Sequence, residues 1–138
     1  MEILSPIQVE KKYQAPVEKV WEIITTQKYL SQWLMPGNFK AEVGHRYEFL
    51  CSPPEGEENW DGKVYGVVLE VNSPNSISFT WCNSRLKQDT LVRFILTETE
   101  SGVLFKVLHE GFGKEDSHEY ELHDMGWLHH LAQIESAL

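Results

Sequence analysis

At 138 residues, with 41% hydrophobic and 24% charged residues, the chain has the composition of one globular domain spanning residues 1–138, long enough to bury a sizeable core. Its formal net charge of −9, from 12 Lys+Arg against 21 Asp+Glu, argues against nucleic acid and anionic membrane surfaces, because both need clustered cations and the nearest approach is Lys11-Lys12. The first six residues carry no basic n-region and no stretch nears the eighteen or so apolar residues of a membrane span. Cys51 and Cys82 form no CxxC pair. A cytoplasmic protein with free thiols is expected.

In chain order, Ile7, Val9 and Tyr13 alternate with Gln8, Glu10 and Lys12, the pattern of a strand with one buried face. Ala15-Pro16 opens a helix, with Pro expected in its first turn, and Val17, Val20, Trp21 and Ile24 follow at helical spacing. A second short helix over Tyr29–Leu34 carries Trp33, and Pro36-Gly37 ends it. From there the period is two. Strands are expected over Arg46–Cys51, Lys63–Val71, Ser76–Cys82, Thr90–Thr97 and Val103–His109. Turns at Pro53–Gly56 with Asp61-Gly62, at Asn72–Asn75 and at Glu100–Gly102 join them; most are too short for crossovers, so the strands form an antiparallel meander. Asp116 with Glu119 has the spacing of a capping box. Beyond it Tyr120, Trp127, Leu131, Ile134 and Leu138 fall on one helical stripe. The class is α+β: a curved six-stranded antiparallel sheet around a long C-terminal helix, with two short helices after strand 1.

These elements carry a resemblance. Ala15-Pro16-Val17-Glu18-Lys19-Val20-Trp21, Trp33, Gly66-Val67-Val68-Leu69-Glu70-Val71 with Pro74, Ile77-Ser78-Phe79-Thr80-Trp81, Gly102, Val107-Leu108-His109-Glu110-Gly111, and Gly126-Trp127 with Leu131 stand in an order and spacing similar to the SRPBCC (START-like, Bet v allergen-like) superfamily. Within it the chain resembles the bacterial group similar to the C-terminal domain of the activator of the heat-shock-protein ATPase. Gly44-His45 replaces a Gly-Gly pair common before the second strand. The resemblance implies a helix-grip fold. It also implies one of several roles, among them lipid carriage, polyketide cyclisation, hormone reception and stress-response co-chaperone work; fold alone does not choose among them.

The chain has no GxGxxG, Walker loop or GxSxG. His118-Glu119-Tyr120-Glu121-Leu122-His123 is one residue too long for HExxH, so its two rings point about 140° apart and cannot share a metal. No metal, cofactor or catalytic residue is expected, and the reading leans against an enzyme. The inward set is Tyr47, Phe49, Val67, Leu69, Ile77, Phe79, Trp81, Val92, Phe94, Phe105 and His109, faced by Trp33 and Trp127 from the helices. If space remains between them, the ligand-binding candidates are Trp33, Tyr47, Phe49, Val67, Phe79, Trp81, Phe94, Phe105, His109, Trp127 and His130. They would hold a small apolar molecule, by resemblance lipid, polyketide or flavonoid-like, with Tyr47, His109 or His130 orienting it. His109 has a plainer reading as a core residue bonded to backbone or a Tyr hydroxyl; His123, Trp127 and His130 share one side of the helix, where the plainer reading of both histidines is hydrogen bonding at the sheet rim. Two alternatives stand beside this one. A polyketide cyclase-like enzyme would use His109 or Glu110 as acid or base. A chaperone-interacting module follows from the resemblance, although the activator's further N-terminal domain has no counterpart here.

Overall fold

A computed structural model describes residues 2–50 and 62–138. Cys51, the expected turn after it and its acidic residues Glu55, Glu57 and Glu58 lie outside the described residues. The elements are β1 (Ile7–Tyr13), α1 (Val17–Thr25), α2 (Gln27–Trp33), β2 (Arg46–Leu50), β3 (Lys63–Asn72), β4 (Ser76–Trp81), β5 (Thr90–Thr99), β6 (Gly102–Glu110) and α3 (Ser117–Gln133), the last continued by a 3₁₀ turn over Ile134–Ala137. The strands form one antiparallel sheet in the order β1-β6-β5-β4-β3-β2. The first strand thus pairs with the last, and α1 and α2 carry the chain from one edge of the sheet to the other. This is the expected helix-grip arrangement.

Period-two alternation accounts for the inner wall. Ile7, His109, Val92 and Phe79 lie across from one another on β1, β6, β5 and β4, and Val9, Val107, Phe94 and Ile77 form the next row. All are buried, so each strand's register is held by apolar partners on both sides. The exposed edge of β2 is closed by chain rather than by charge. Asn38 N–H donates to the Glu48 carbonyl, Leu50 N–H to the Pro36 carbonyl, and Glu48 N–H to the Asn38 side-chain oxygen.

β3 departs from expectation. Val64 and Val68 are buried, Val67 is half-buried and Leu69 is 49% exposed, so Val67 and Leu69 do not belong to the inner wall. The cause is a bulge: Val68 pairs with Phe79, but Glu70 pairs with Ser78, which reverses the phase of the strand. Val71, beyond the bulge, packs on the core, and counting back from it in twos gives the wrong face.

The helices show three smaller corrections. Pro16 stands before α1 as its N-cap residue, its carbonyl accepting from Lys19 and Val20, rather than inside the first turn. Ile23 takes the buried place expected of Trp21, which is only partly buried. The capping box at α3 does not form: the Asp116 carboxylate accepts the Lys87 N–H at 3.0 Å, and Glu119 turns to Arg85 (2.5 Å) and Asn83 (3.5 Å). Of the expected stripe Trp127, Leu131 and Ile134 are buried and Tyr120 partly so, while Leu138 is 41% exposed beyond the helix end.

Gly66 marks where β3 presses closest to its neighbour. A Cβ there would lie 2.0 Å from the Thr80 carbonyl oxygen, the atom that accepts the Tyr47 hydroxyl at 2.6 Å. Backbone cannot yield as a flexible side chain can. Gly66→Ala is therefore expected to cost about 2 kcal/mol or more, read as a lower urea midpoint; an unchanged midpoint would show that β3 and β4 are not locked together at this point.

Candidate functional site: the aromatic interior under the C-terminal helix

Ten of the eleven sequence-predicted site residues come together between the sheet and α3; Val67 is the exception, turned away by the β3 bulge. Their rings are in contact. Tyr47 and Phe49 lie 5.0 Å apart between centroids, Phe79 and Phe94 5.1 Å, Phe94 and Phe105 5.2 Å, Trp81 and Trp127 5.3 Å, and Trp33 lies 6.1 Å from both Phe94 and Phe105. Most of these pairs meet edge-to-face or tilted, the arrangement the aromatic quadrupole favours. Among the described residues these rings thus pack against one another through the middle of this interior.

Polar groups run through it as a single hydrogen-bond chain whose directions are set by chemistry. Indole can only donate. The Trp127 indole N–H points at His109 Nδ1 at 3.0 Å, so that nitrogen accepts and the ring's proton is on Nε2. Nε2–H then donates to Thr90 Oγ1 at 2.7 Å, and the Thr90 hydroxyl donates to the Trp81 carbonyl at 2.6 Å. The Trp81 indole N–H in turn donates to His123 Nε2 at 3.1 Å, leaving the proton on Nδ1, which donates to the Glu119 carbonyl at 2.7 Å. Both imidazoles are held neutral. His130, half-buried at the edge, donates from Nδ1 to the Trp33 carbonyl at 3.0 Å, and Trp33 donates its indole N–H to the Ile23 carbonyl at 2.9 Å. Tyr47 donates to the Thr80 carbonyl. The three groups expected to orient a ligand are thus bonded to the protein itself.

Sequence reasoning missed four contributors. His123, expected at the sheet rim on Trp127's side of the helix, instead faces His109 with ring centroids 5.3 Å apart. Phe112 lies 4.6 Å from His109 and 5.3 Å from His123, and Phe39 fills the gap among Tyr47, Phe49 and Phe79. Both stand outside regular elements, where no periodicity points inward. Thr90 opens β5 as a buried hydroxyl among apolar neighbours. At the N-terminal end of α3, Arg85 and buried Glu119 form an ion pair that ties the 83–88 segment to the helix.

Burial sets the titration of these groups. Desolvation pushes His109 well below the usual histidine value, with His123 adding to it. Burial also lowers His123 and His130, partly offset by their bonds to backbone carbonyls, and raises the Tyr47 hydroxyl well above its usual range. Apart from this interior, an open groove of about 450 Å³ lies where the β1–α1 junction meets the β5–β6 turn, lined by residues including Gln14, Pro16, Glu18, Glu98 and Ser101; its two carboxylates do not suit an anion.

The family model described as Activator of Hsp90 ATPase homolog 1-like protein matches residues 14–138. The chain belongs to this family. Among solved structures it is similar to protein MLL2253 from Mesorhizobium loti (28% identity, 96% of this chain and 95% of that one, TM-score 0.83). Bacillus halodurans protein BH1534 matches at 31% identity over 95% and 94% of the two chains, TM-score 0.73. CalU16 from Micromonospora echinospora shares the fold at 21% identity, 95% and 74% coverage and TM-score 0.76. No curated protein matches the sequence. Among the described residues, no helix is long and apolar enough to cross a membrane.

The neutral histidines predict an acid-sensitive fold. His109, His123 and His130 have depressed values in the folded state, so unfolding takes up protons once the pH drops below about 6.5. Their stabilising contribution is complete above that pH and declines below it, for His109 alone by up to about 1.4 kcal/mol per pH unit. Urea midpoints measured from pH 7.5 to 5 should fall, with a shallower slope in His109→Gln. A flat profile in the wild type would contradict the neutral assignment.

Proposed function

We propose that the chain is a binding protein for a small, flat, mostly apolar molecule, taken up between the aromatic wall of the sheet and α3. The observation that supports this most is the Trp127–His109–Thr90–Trp81–His123 chain itself. A core selected for stability alone can do about as well with apolar side chains of the same shape in place of both partners, whereas convergent polar groups inside an aromatic interior are what a binding site uses to orient its ligand. Because the rings touch, binding requires the α3 side chains Trp127 and His123 to move off Trp81 and His109, with the ligand taking over their contacts. A planar aromatic ligand fits best, since it can reproduce the edge-to-face contacts it displaces and gains about 25 cal/mol per Å² of apolar surface buried. The superfamily's lipid and polyketide ligands are the other members of the class.

The cyclase reading has less support. His109 has both nitrogens engaged, and Glu110 lies on the opposite face of β6, 3.6 Å from Arg93, so the two do not face a common substrate. The family's description supports a second reading, contact with a chaperone ATPase. That contact would use outer surface, and Leu122, Met125 and Leu128 on α3 are exposed apolar side chains of the kind it needs.

Amide and indole NMR titration against pools of flavonoid-like compounds, fatty acids and sterols tests the proposal. Saturable shifts of the Trp81 and Trp127 indole N–H signals, largest for the planar aromatic pool, are expected. Their absence in every pool would overturn the ligand reading and leave the partner reading.

A further inference from the structure

We propose that the outward face of α3 docks an amphipathic helix of a partner protein, one whose apolar stripe is flanked by Lys or Arg. Leu122, Met125 and Leu128 are 38%, 62% and 58% exposed on the side of α3 opposite Trp127 and Leu131. At about 100° per residue these three span one third of the helix circumference, with exposed His129 and Ala132 among them. Isolated exposed leucines are ordinary on protein surfaces; three large apolar side chains gathered on one helix face are less so. Unbranched methionine at the centre adapts its shape to what it meets.

Charge selects the occupant. From Glu115 to Leu138 the chain contains Glu115, Asp116, Glu119, Glu121, Asp124 and Glu135 but no lysine or arginine. Glu121 is exposed within the apolar face, and Asp124 borders it. A basic-flanked helix would place cations opposite these carboxylates while its apolar stripe covers the leucines and methionine, the helix-to-surface mode of recognition. A second copy of this chain would instead set Glu121 and Asp124 against their own kind, on molecules that each carry a net charge of −9. The same sign disfavours an anionic membrane. The surface would serve a chaperone contact without requiring one, and it is independent of any ligand in the interior.

The test uses the whole chain and two 18-residue helical peptides with the same leucine stripe, one flanked by lysines and the other by glutamates. The lysine peptide should bind, with amide shifts concentrated over residues 118–132, and the glutamate peptide should not. The triple variant Leu122→Ser/Met125→Ser/Leu128→Ser keeps the net charge and so keeps any diffuse attraction; it should weaken binding at least about tenfold. Glu121→Gln should weaken it less and flatten its salt dependence. Thermal melts of the variants check that the fold is retained. Equal binding by the triple variant, shifts centred elsewhere, no binding of the lysine peptide, or a wild-type dimer that the triple variant abolishes would each overturn the proposal.

Discussion

Two indole N–H groups have to find acceptors in an interior that water does not reach, and that requirement organises this molecule. Trp127 on α3 donates across the gap to His109 on the sheet, and Trp81 on the sheet donates back to His123 on α3. Apolar packing is not directional, so by itself it lets a helix slide or roll on a curved sheet at little cost. Two hydrogen bonds running in opposite senses, one turn apart along α3, oppose both motions. The Tyr13 hydroxyl adds a third point by donating to the Leu131 carbonyl at 2.7 Å. Since indoles never accept, both imidazoles have to be neutral and each tautomer is determined. Thr90 then accepts from His109 and donates in turn to the Trp81 backbone carbonyl.

The order of elements and the class of fold were legible because the strands other than β3 keep one face of large buried side chains in unbroken period-two phase, as in Ile7–Tyr13 and Ser76–Trp81. β3 was legible as a strand but not in its phase. Gly66-Val67-Val68-Leu69 is apolar on both faces, and a bulge separates it from Val71, the residue whose side is easiest to assign. α3 posed the same difficulty in helical form. Trp127, Leu131 and Ile134 point inward while Leu122, Met125 and Leu128 point out, so the helix is apolar on two sides and its stripe is only partly distinct. Its expected cap failed for a different reason. Asp116 and Glu119 have partners nearer in space than the helix N-terminus, in Lys87 and Arg85, and contacts of that kind come from segments far apart in sequence.

The candidate site divides along the same line. Most residues on strands and helices were found from their periodicity; Val67 was lost with the phase of β3, and Thr90, a hydroxyl opening β5, carried no apolar pattern to mark it. Phe39 and Phe112 lie in connecting segments, where burial depends on the path of the chain and leaves no repeat in the sequence. His123 was legible as sharing a helix side with Trp127 and His130, but helical spacing does not say which sheet residue it meets, and its partner is the Trp81 indole rather than a group at the rim. The plainer reading of His109, a core residue, describes its place, with the Thr90 hydroxyl and the Trp127 indole as partners in place of the expected backbone or Tyr hydroxyl. Its bonds satisfy it within the core, and they run to the Trp127 and Thr90 side chains rather than to strand backbone.

That distinction bears on how the interior could open. The ladder between β5 and β6 cannot be interrupted without unfolding the sheet, but the links between the sheet and α3 pass through side chains. A molecule carrying one acceptor could take the Trp81 or Trp127 N–H while leaving every strand paired. The neutral imidazoles then matter in a second way. An acceptor competes with a neutral ring nitrogen, a moderate partner, rather than with a buried carboxylate, whose charge-assisted bond to the indole would be considerably stronger. Neutral histidines at these two positions hold α3 in one packed state through bonds of moderate strength rather than charge-assisted ones.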